Sequence, residues 1–274
     1  MGAAEQTAGV RALFDLVADD YDNVGMPFFG PIGKGLVDAV APRPGERALD
    51  LGCGRGAASV LLADAVAPSG SLTATDLSPA MVAHARAALA GRLANLTVAV
   101  GDASDPALAP GAFDVVVSSL VLFFLPDPGA ALARWVRLLA PGGRLGVSTF
   151  AAEAPEWEAL DGLLRPSMPP ADPRMMGPTS PFASDSGVAG LLERAGAGGV
   201  RTTHRRVGFA FSGFDGWLRF SRSVGQRAAW DRLGADAGGV LERARQVYAD
   251  VADAEGRLPV WQDVRYTVGD APVT

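Results

Sequence analysis

Three acids sit where this chain could do chemistry. Asp50 ends an apolar run directly before a glycine turn, Gly52-Cys53-Gly54-Arg55-Gly56, Asp76 lies at the end of the next run, and Asp102 follows the one after. Glycines let the backbone turn tightly and let a ligand approach without Cβ atoms in the way. The turn joins a strand-like run to a helix-like run, so it lies at the mouth of a βαβ unit, where α/β folds bind ligands. Asp76 is placed where an acid hydrogen-bonds the ribose hydroxyls of a nucleoside. Asp102, in Gly101-Asp102-Ala103, can accept from the exocyclic amine of adenine; a helix cap or loop aspartate is the alternative. Leu77 and Met81 are expected on the adenine face, with core packing as the plainer reading.

Asp50 decides the ligand. A dinucleotide would present pyrophosphate to the turn, and a carboxylate beside it would repel that charge. S-adenosylmethionine presents an ammonium and a sulfonium, which suit a neighbouring carboxylate. This region resembles the class I, seven-stranded, Rossmann-like S-adenosylmethionine-dependent methyltransferases of the small-molecule type. There the turn, here Gly52, Cys53 and Gly54, holds the methionine part of the cofactor. Gly52, Gly54 and Ala57 also satisfy G-x-G-x-x-A, so a nicotinamide-dependent oxidoreductase stands as an alternative.

The resemblance runs over residues 14–150. Residues 14–22, ending in Tyr21-Asp22, are similar to a family segment whose tyrosine closes over the cofactor; a packed amphipathic side chain is the other reading of Tyr21. A backbone carbonyl near Ser118 is implied to meet the cofactor ammonium. Many relatives carry a histidine near the position of Phe124, and this chain does not. That departure leaves the general base unassigned. It also keeps open a protein that binds S-adenosylmethionine without methyl transfer, as a cyclase or in a binding role.

Methyl transfer from a sulfonium is an in-line displacement, so positioning does much of the work. A hydroxyl or carbon acceptor usually needs a base as well. The chain has two histidines. His84 reads as a helix-surface residue. His204, in the region of strand six, is the catalytic candidate, with Tyr21, Asp19 and Glu156 behind it. Phe28, Phe29, Phe123, Phe124, Trp157 and Trp217 could wall an apolar substrate pocket or belong to the core.

The elements that must position these residues alternate. Val10, Leu13, Phe14, Val17 and Tyr21 share one face of a helix over residues 6–22, and a second helix follows at 31–40. Strands are expected at 47–51, 71–77, 96–101, 113–119 and 143–150, with helices at 56–67, from residue 79 and at 128–139. Such alternation predicts an α/β fold, a doubly wound, mostly parallel seven-stranded sheet with an antiparallel last strand and helices on both faces. One domain spans 1–274: an N-terminal helical cap at 1–40, a cofactor core at 46–150, and edge strands at 197–211 and 260–268. Residues 151–195 and 213–256 read as insertions forming a substrate lid, the stretch 151–186 being too long for an ordinary loop.

Composition narrows the partners. A net charge of −6 disfavours electrostatic binding of nucleic acid. The cluster Arg201 to Arg206 reads as a solvated edge strand. Cys53 is the one cysteine, so no intramolecular disulfide forms, which fits a cytoplasmic protein. The longest apolar run, 115–125, is too short to span a bilayer. The expected partner is a small molecule, a natural-product intermediate, with no metal, no membrane association, and a monomer or homodimer.

Overall fold

The computed structural model describes residues 2–169, 177 and 179–272. In chain order the helices are α1 (Ala3–Val17), α2 (Phe29–Val40), α3 (Ala57–Val66), α4 (Pro79–Leu89), α5 (Pro128–Leu138), α6 (Pro155–Gly162), α7 (Asp185–Arg194), α8 (Phe214–Ser223), α9 (Arg227–Leu233) and α10 (Ala237–Val251). The strands are β1 (Arg47–Leu51), β2 (Ser71–Asp76), β3 (Leu96–Val100), β4 (Phe113–Ser119), β5 (Leu139–Glu153), β6 (Gly198–Ser212) and β7 (Arg257–Asp270). They form one sheet in the order β3-β2-β1-β4-β5-β7-β6. The first five strands run parallel, and β7 is antiparallel to both β5 and β6. β6 is therefore an edge, while β7 lies inside the sheet, where the sequence had suggested a second edge strand.

The central strands are apolar on both faces because helices cover both. Leu49 and Leu51 of β1 and Val116 of β4 join one core cluster with α5 and α7. Ala48, Val115 and Val117 point the other way, into a cluster with α2 and α3. This is the period-two alternation of a strand buried twice. Helix starts follow local chemistry. Ser78 caps α4 by accepting from the Met81 N–H at 3.1 Å, and Asp127 caps α5 by accepting from Ala130 at 2.9 Å, each with proline at the next position.

Strand order reverses between β2-β1 and β1-β4, which opens a crevice at the carboxyl ends of β1 and β4. The chain's first helix is shorter than its periodicity suggests. It stops at Val17, and Asp22 takes a left-handed turn at φ 52°. The Asp22 carboxylate accepts from the Phe28 and Phe29 N–H groups at 3.2 and 3.3 Å, folding the chain back into α2. That bend places Tyr21 over the crevice.

The two insertions do not form a separate layer. Trp157, Leu160 and Leu164 around α6 and Trp217 and Phe220 of α8 are buried in the same cluster as α2 and α3. Phe28 ties them together, its ring edge-on to Trp157 at 5.6 Å and to Phe220 at 5.4 Å. Residues 170–176 and 178 of the expected lid lie outside the described residues. The return from that segment is clamped by Arg265 of β7. Its guanidinium is 4 % exposed and donates to Asp185 Oδ1 at 2.7 Å and to the Phe150 and Phe182 carbonyls at 3.2 Å. Among the described residues no helix is long and apolar enough to cross a membrane.

Candidate active site

The glycine turn is built on positive φ angles, 74° at Gly52, 54° at Gly54 and 97° at Gly56. A Cβ at Gly52 would stand 2.4 Å from Val121 Cγ2, so only glycine lets the segment after β4 close on the turn. The Gly52 and Cys53 N–H groups donate to the Thr75 carbonyl at 2.8 and 2.9 Å, locking the turn to β2. Asp76 completes the lock. Its Oδ2 accepts from Gly54 N–H at 2.8 Å and its Oδ1 from Ser78 N–H at 2.9 Å. A carboxylate has about four lone-pair sites, so acceptor capacity remains for a ligand. Burial raises the Asp76 acid above its ordinary range, and the N–H groups of Ser78 and Gly54 oppose that rise.

These groups line a cavity at the crevice, open to solvent and about 700 Å³ with its mouth included. Of the residues named from sequence, Tyr21, Gly52, Gly54, Asp76, Leu77, Met81, Asp102 and Ala103 meet there. Asp102 also accepts from the Ser104 N–H at 2.7 Å, and the Ala103 carbonyl accepts from Trp135 Nε1 at 2.7 Å, which fixes the loop after β3. Asp50, Cys53 and Ser118 sit behind the wall. Ser118 donates its hydroxyl to the Leu51 carbonyl at 2.7 Å, and burial pushes the Cys53 thiol well up. Asp50 is 1 % exposed, with Ser59 donating to its Oδ2 at 2.5 Å. Its Oδ1 has no partner among the described residues.

Sequence reasoning missed much of the roof. Thr7, Val10 and Phe14 of α1 cover the cavity beside Tyr21, and Ser119 to Val121 and Phe124 to Pro126 form the facing wall. The signal is the amphipathic stripe of α1, which the periodicity gives only as one face of a helix. Three ties hold α1 in place: Gln6 Nε2 donates to the Phe124 carbonyl at 3.1 Å, Ser78 donates to Asp15 at 2.5 Å, and Arg55 donates to the Ala18 and Asp19 carbonyls. The Tyr21 ring stacks on Phe29 with centroids 4.4 Å apart and meets Phe14 edge-on at 5.8 Å. Burial, then the charges of Asp22 and Asp76, drive the Tyr21 phenol far up, so it is a neutral hydrogen-bond donor at any ordinary pH.

His204 does not join this group. It lies on the exposed edge strand β6, where Nε2 is 2.8 Å from Asp185 Oδ2, and it is absent from the cavity wall. His84 pairs with Asp19 at 2.9 Å on the surface, and Glu156 is exposed on α6. Trp157 and Phe28 pack in the insertion core, whereas Phe124 reaches the cavity. The ionisable side chains on the described wall are Asp76, Asp102 and Tyr21, with no lysine or arginine. Such a wall suits a ligand with cationic groups and ribose hydroxyls. It does not suit pyrophosphate, which needs a positive or amide-rich cradle. The orphaned oxygen of Asp50 behind the turn points the same way.

The comparisons agree. The model of the family described as a methyltransferase domain matches residues 49–147. Nocamycin O-methyltransferase of Saccharothrix syringae is 33 % identical, over 94 % of this chain and 96 % of that protein. Aklanonic acid methyltransferase DauC of Streptomyces sp. strain C5 is 37 % identical, over 59 % of this chain and 74 % of its own. Among solved structures, the [4+2]-cyclase SpnF superposes with a TM-score of 0.56 at 20 % identity, covering 89 % of this chain and 82 % of that one, a likeness of fold alone. With a relative matched nearly end to end, the seven-stranded sheet and this acid-lined glycine turn, the chain is a methyltransferase and belongs to the class I S-adenosylmethionine-dependent family.

Proposed function

We propose that the chain binds S-adenosylmethionine in the cavity at β1 and β4 and methylates an acidic oxygen of a small, largely apolar natural product. One observation carries the cofactor: Asp76, held by the Gly54 and Ser78 N–H groups, faces a cavity without a basic side chain among its described residues. When bound, the cofactor supplies an electrophilic methyl group on a sulfonium. The chain supplies the surroundings. Asp76 would accept from the ribose hydroxyls and Asp102 from the adenine amine. Leu77 and Met81 would flank the base, and the turn would hold the methionine end. Tyr21 and Phe14 close the roof and exclude water, which strengthens each charge interaction inside.

The acceptor follows from what the wall can do with a proton. Asp76 and Asp102 are assigned to the cofactor, and Tyr21 stays protonated. No described wall residue is left as a general base. An acceptor that arrives ionised needs none: its oxygen lone pair forms the new bond to carbon as the bond to sulfur breaks, and no proton moves. Carboxylates are ionised at neutral pH. The names of two relatives, an O-methyltransferase and an aklanonic acid methyltransferase, support an acidic oxygen.

The test uses methyl-labelled S-adenosylmethionine with aklanonic acid and a panel of polycyclic acids, phenols and amines. Label should enter acids and come off as methanol in mild base, as from a methyl ester. Base-stable label on phenols or amines would replace the acid by another acceptor. Tight cofactor binding with no transfer to any member would favour a binding or cyclase role.

A further inference from the structure

The inference rests on S-adenosylmethionine being the ligand of the cavity. It concerns Asp50, the acid behind the turn. Its carboxyl group is buried and receives one hydrogen bond, from Ser59 of α3. The other oxygen is buried without a partner among the described residues. The titratable group acting on it is Asp76 from β2, a like charge, while the Cys53 thiol of the turn is pushed well up by burial and by Asp50 and stays neutral. The cation nearest in sequence, Arg55, is turned away to the carbonyls of Ala18 and Asp19. On β4 the residue paired to Asp50 is Val117, and that strand's one charge, Asp114, is engaged by Arg47 at the far end of β1. Asp76 is better provided, with two backbone donors on its two oxygens.

A buried carboxylate with one donor, a like-charged neighbour and no cation is costly to ionise. A cation settled on the glycine turn changes that balance, because it supplies the opposite charge that Asp50, directly behind the turn, lacks. We propose that Asp50 is protonated in the ligand-free protein and loses that proton to solvent when the cationic methionine end of the cofactor settles on the glycine turn. Binding and proton release are then a single event. Burial, tempered by Ser59 and reinforced by Asp76, brings the acid to about 7, so the event falls within the neutral range. Cofactor affinity rises with pH up to about 7 and levels off above it, because below that point the proton must first be removed. Each pH unit below 7 costs up to about tenfold in Kd.

Calorimetry of S-adenosylmethionine binding at pH 6.5, in buffers of different ionisation enthalpy, reads the proton directly. The expected result is a buffer-dependent heat corresponding to release of more than roughly half a proton per site. Asp50→Asn keeps the shape of the side chain and should abolish the release, leaving only exchange on the ligand itself. Ser59→Ala removes the one donor to the carboxyl and should move the release to higher pH, which serves if Asp50→Asn does not fold. Equal heats in all buffers at pH 6.5 overturn the proposal while leaving the cofactor reading intact. Release that persists in Asp50→Asn assigns the proton to Asp76 or the ligand and overturns it too. Absence of any binding heat or thermal shift with the cofactor removes both.

Discussion

Asp76 is the residue on which the cofactor reading leans hardest, and its geometry makes a quantitative claim. Its oxygens are set by two N–H groups and retain capacity toward the cavity. Asp76→Ala should weaken S-adenosylmethionine binding by about 1.5–3 kcal/mol, the range for hydrogen bonds to charged groups, read by calorimetry. Unchanged affinity would remove Asp76 from the site. Tyr21 makes a second claim. Its ring is sandwiched by Phe29 and Phe14, so Tyr21→Phe should keep cofactor affinity within about 1 kcal/mol, the worth of one hydrogen bond. Tyr21→Ala opens the roof and should lower kcat/KM far more. If both substitutions fall equally, the hydroxyl matters and the ring does not. At this scale the acids and glycines were legible because ligand chemistry dictates their types and spacing. The roof residues were not. Thr7 and Val10 look like any helix face until Gln6 and Asp15 tie α1 across the crevice. His204 was legible only as a histidine, and its surroundings on an edge strand show a surface pair with Asp185.

Between elements, the joint of α6 with the start of α9 holds a second buried acid. Asp161 of α6 lies against Trp157 of its own helix and Gln226 before α9, with Glu153 of β5 and Arg165 as its charged neighbours. Burial first, and Glu153 in addition, push Asp161 up to about 7, against the pull of Gln226, Trp157 and Arg165. The folded acid therefore binds its proton more tightly than the unfolded one. Its stabilising contribution is complete below the ordinary carboxylate range and is lost as pH rises toward 7. Asp161→Asn should flatten the decline of Tm between pH 5 and 8 relative to the parent; the remaining slope carries Asp50, which shifts in the same direction. Parallel Tm curves for parent and variant would show that Asp161 does not titrate in this window. The central strand β4 could be read from sequence because a run buried on both faces is apolar nearly throughout. The end of α1 could not: a helical stripe continues to Tyr21, and only the left-handed Asp22 with its bonds to Phe28 and Phe29 breaks it.

Among the described residues one large core lies on each face of the sheet, a small third cluster of Val17, Ala18 and Met81 joins α1 to α4, and the insertions share the core of α2 and α3. A graft replacing residues 158–180 by a flexible linker would strip Leu160 and Leu164 from that core, so it is no clean test of a lid. Leu160→Ala is better. It should cost about 2–5 kcal/mol, as buried leucines do, and unfolding in denaturant should remain one transition. Two transitions would show that the insertions unfold on their own. The position of β7 has a consequence for how the protein is made. β7 lies between β5 and β6 and hydrogen-bonds to both, yet it is translated after α8, α9 and α10. On the ribosome, β1 to β5 can pair with one another once β5 has emerged, since apart from β7 every strand they bond to has been made by then. β6 has no such option. It must wait, unpaired along its length, until the helices that follow it and then β7 have left the exit tunnel, a long-range closure of the kind that is slow to form. A nascent chain arrested before residue 257 should resist protease across 47–150 and be cut within 198–212, making β6 the stretch most in need of a chaperone during synthesis.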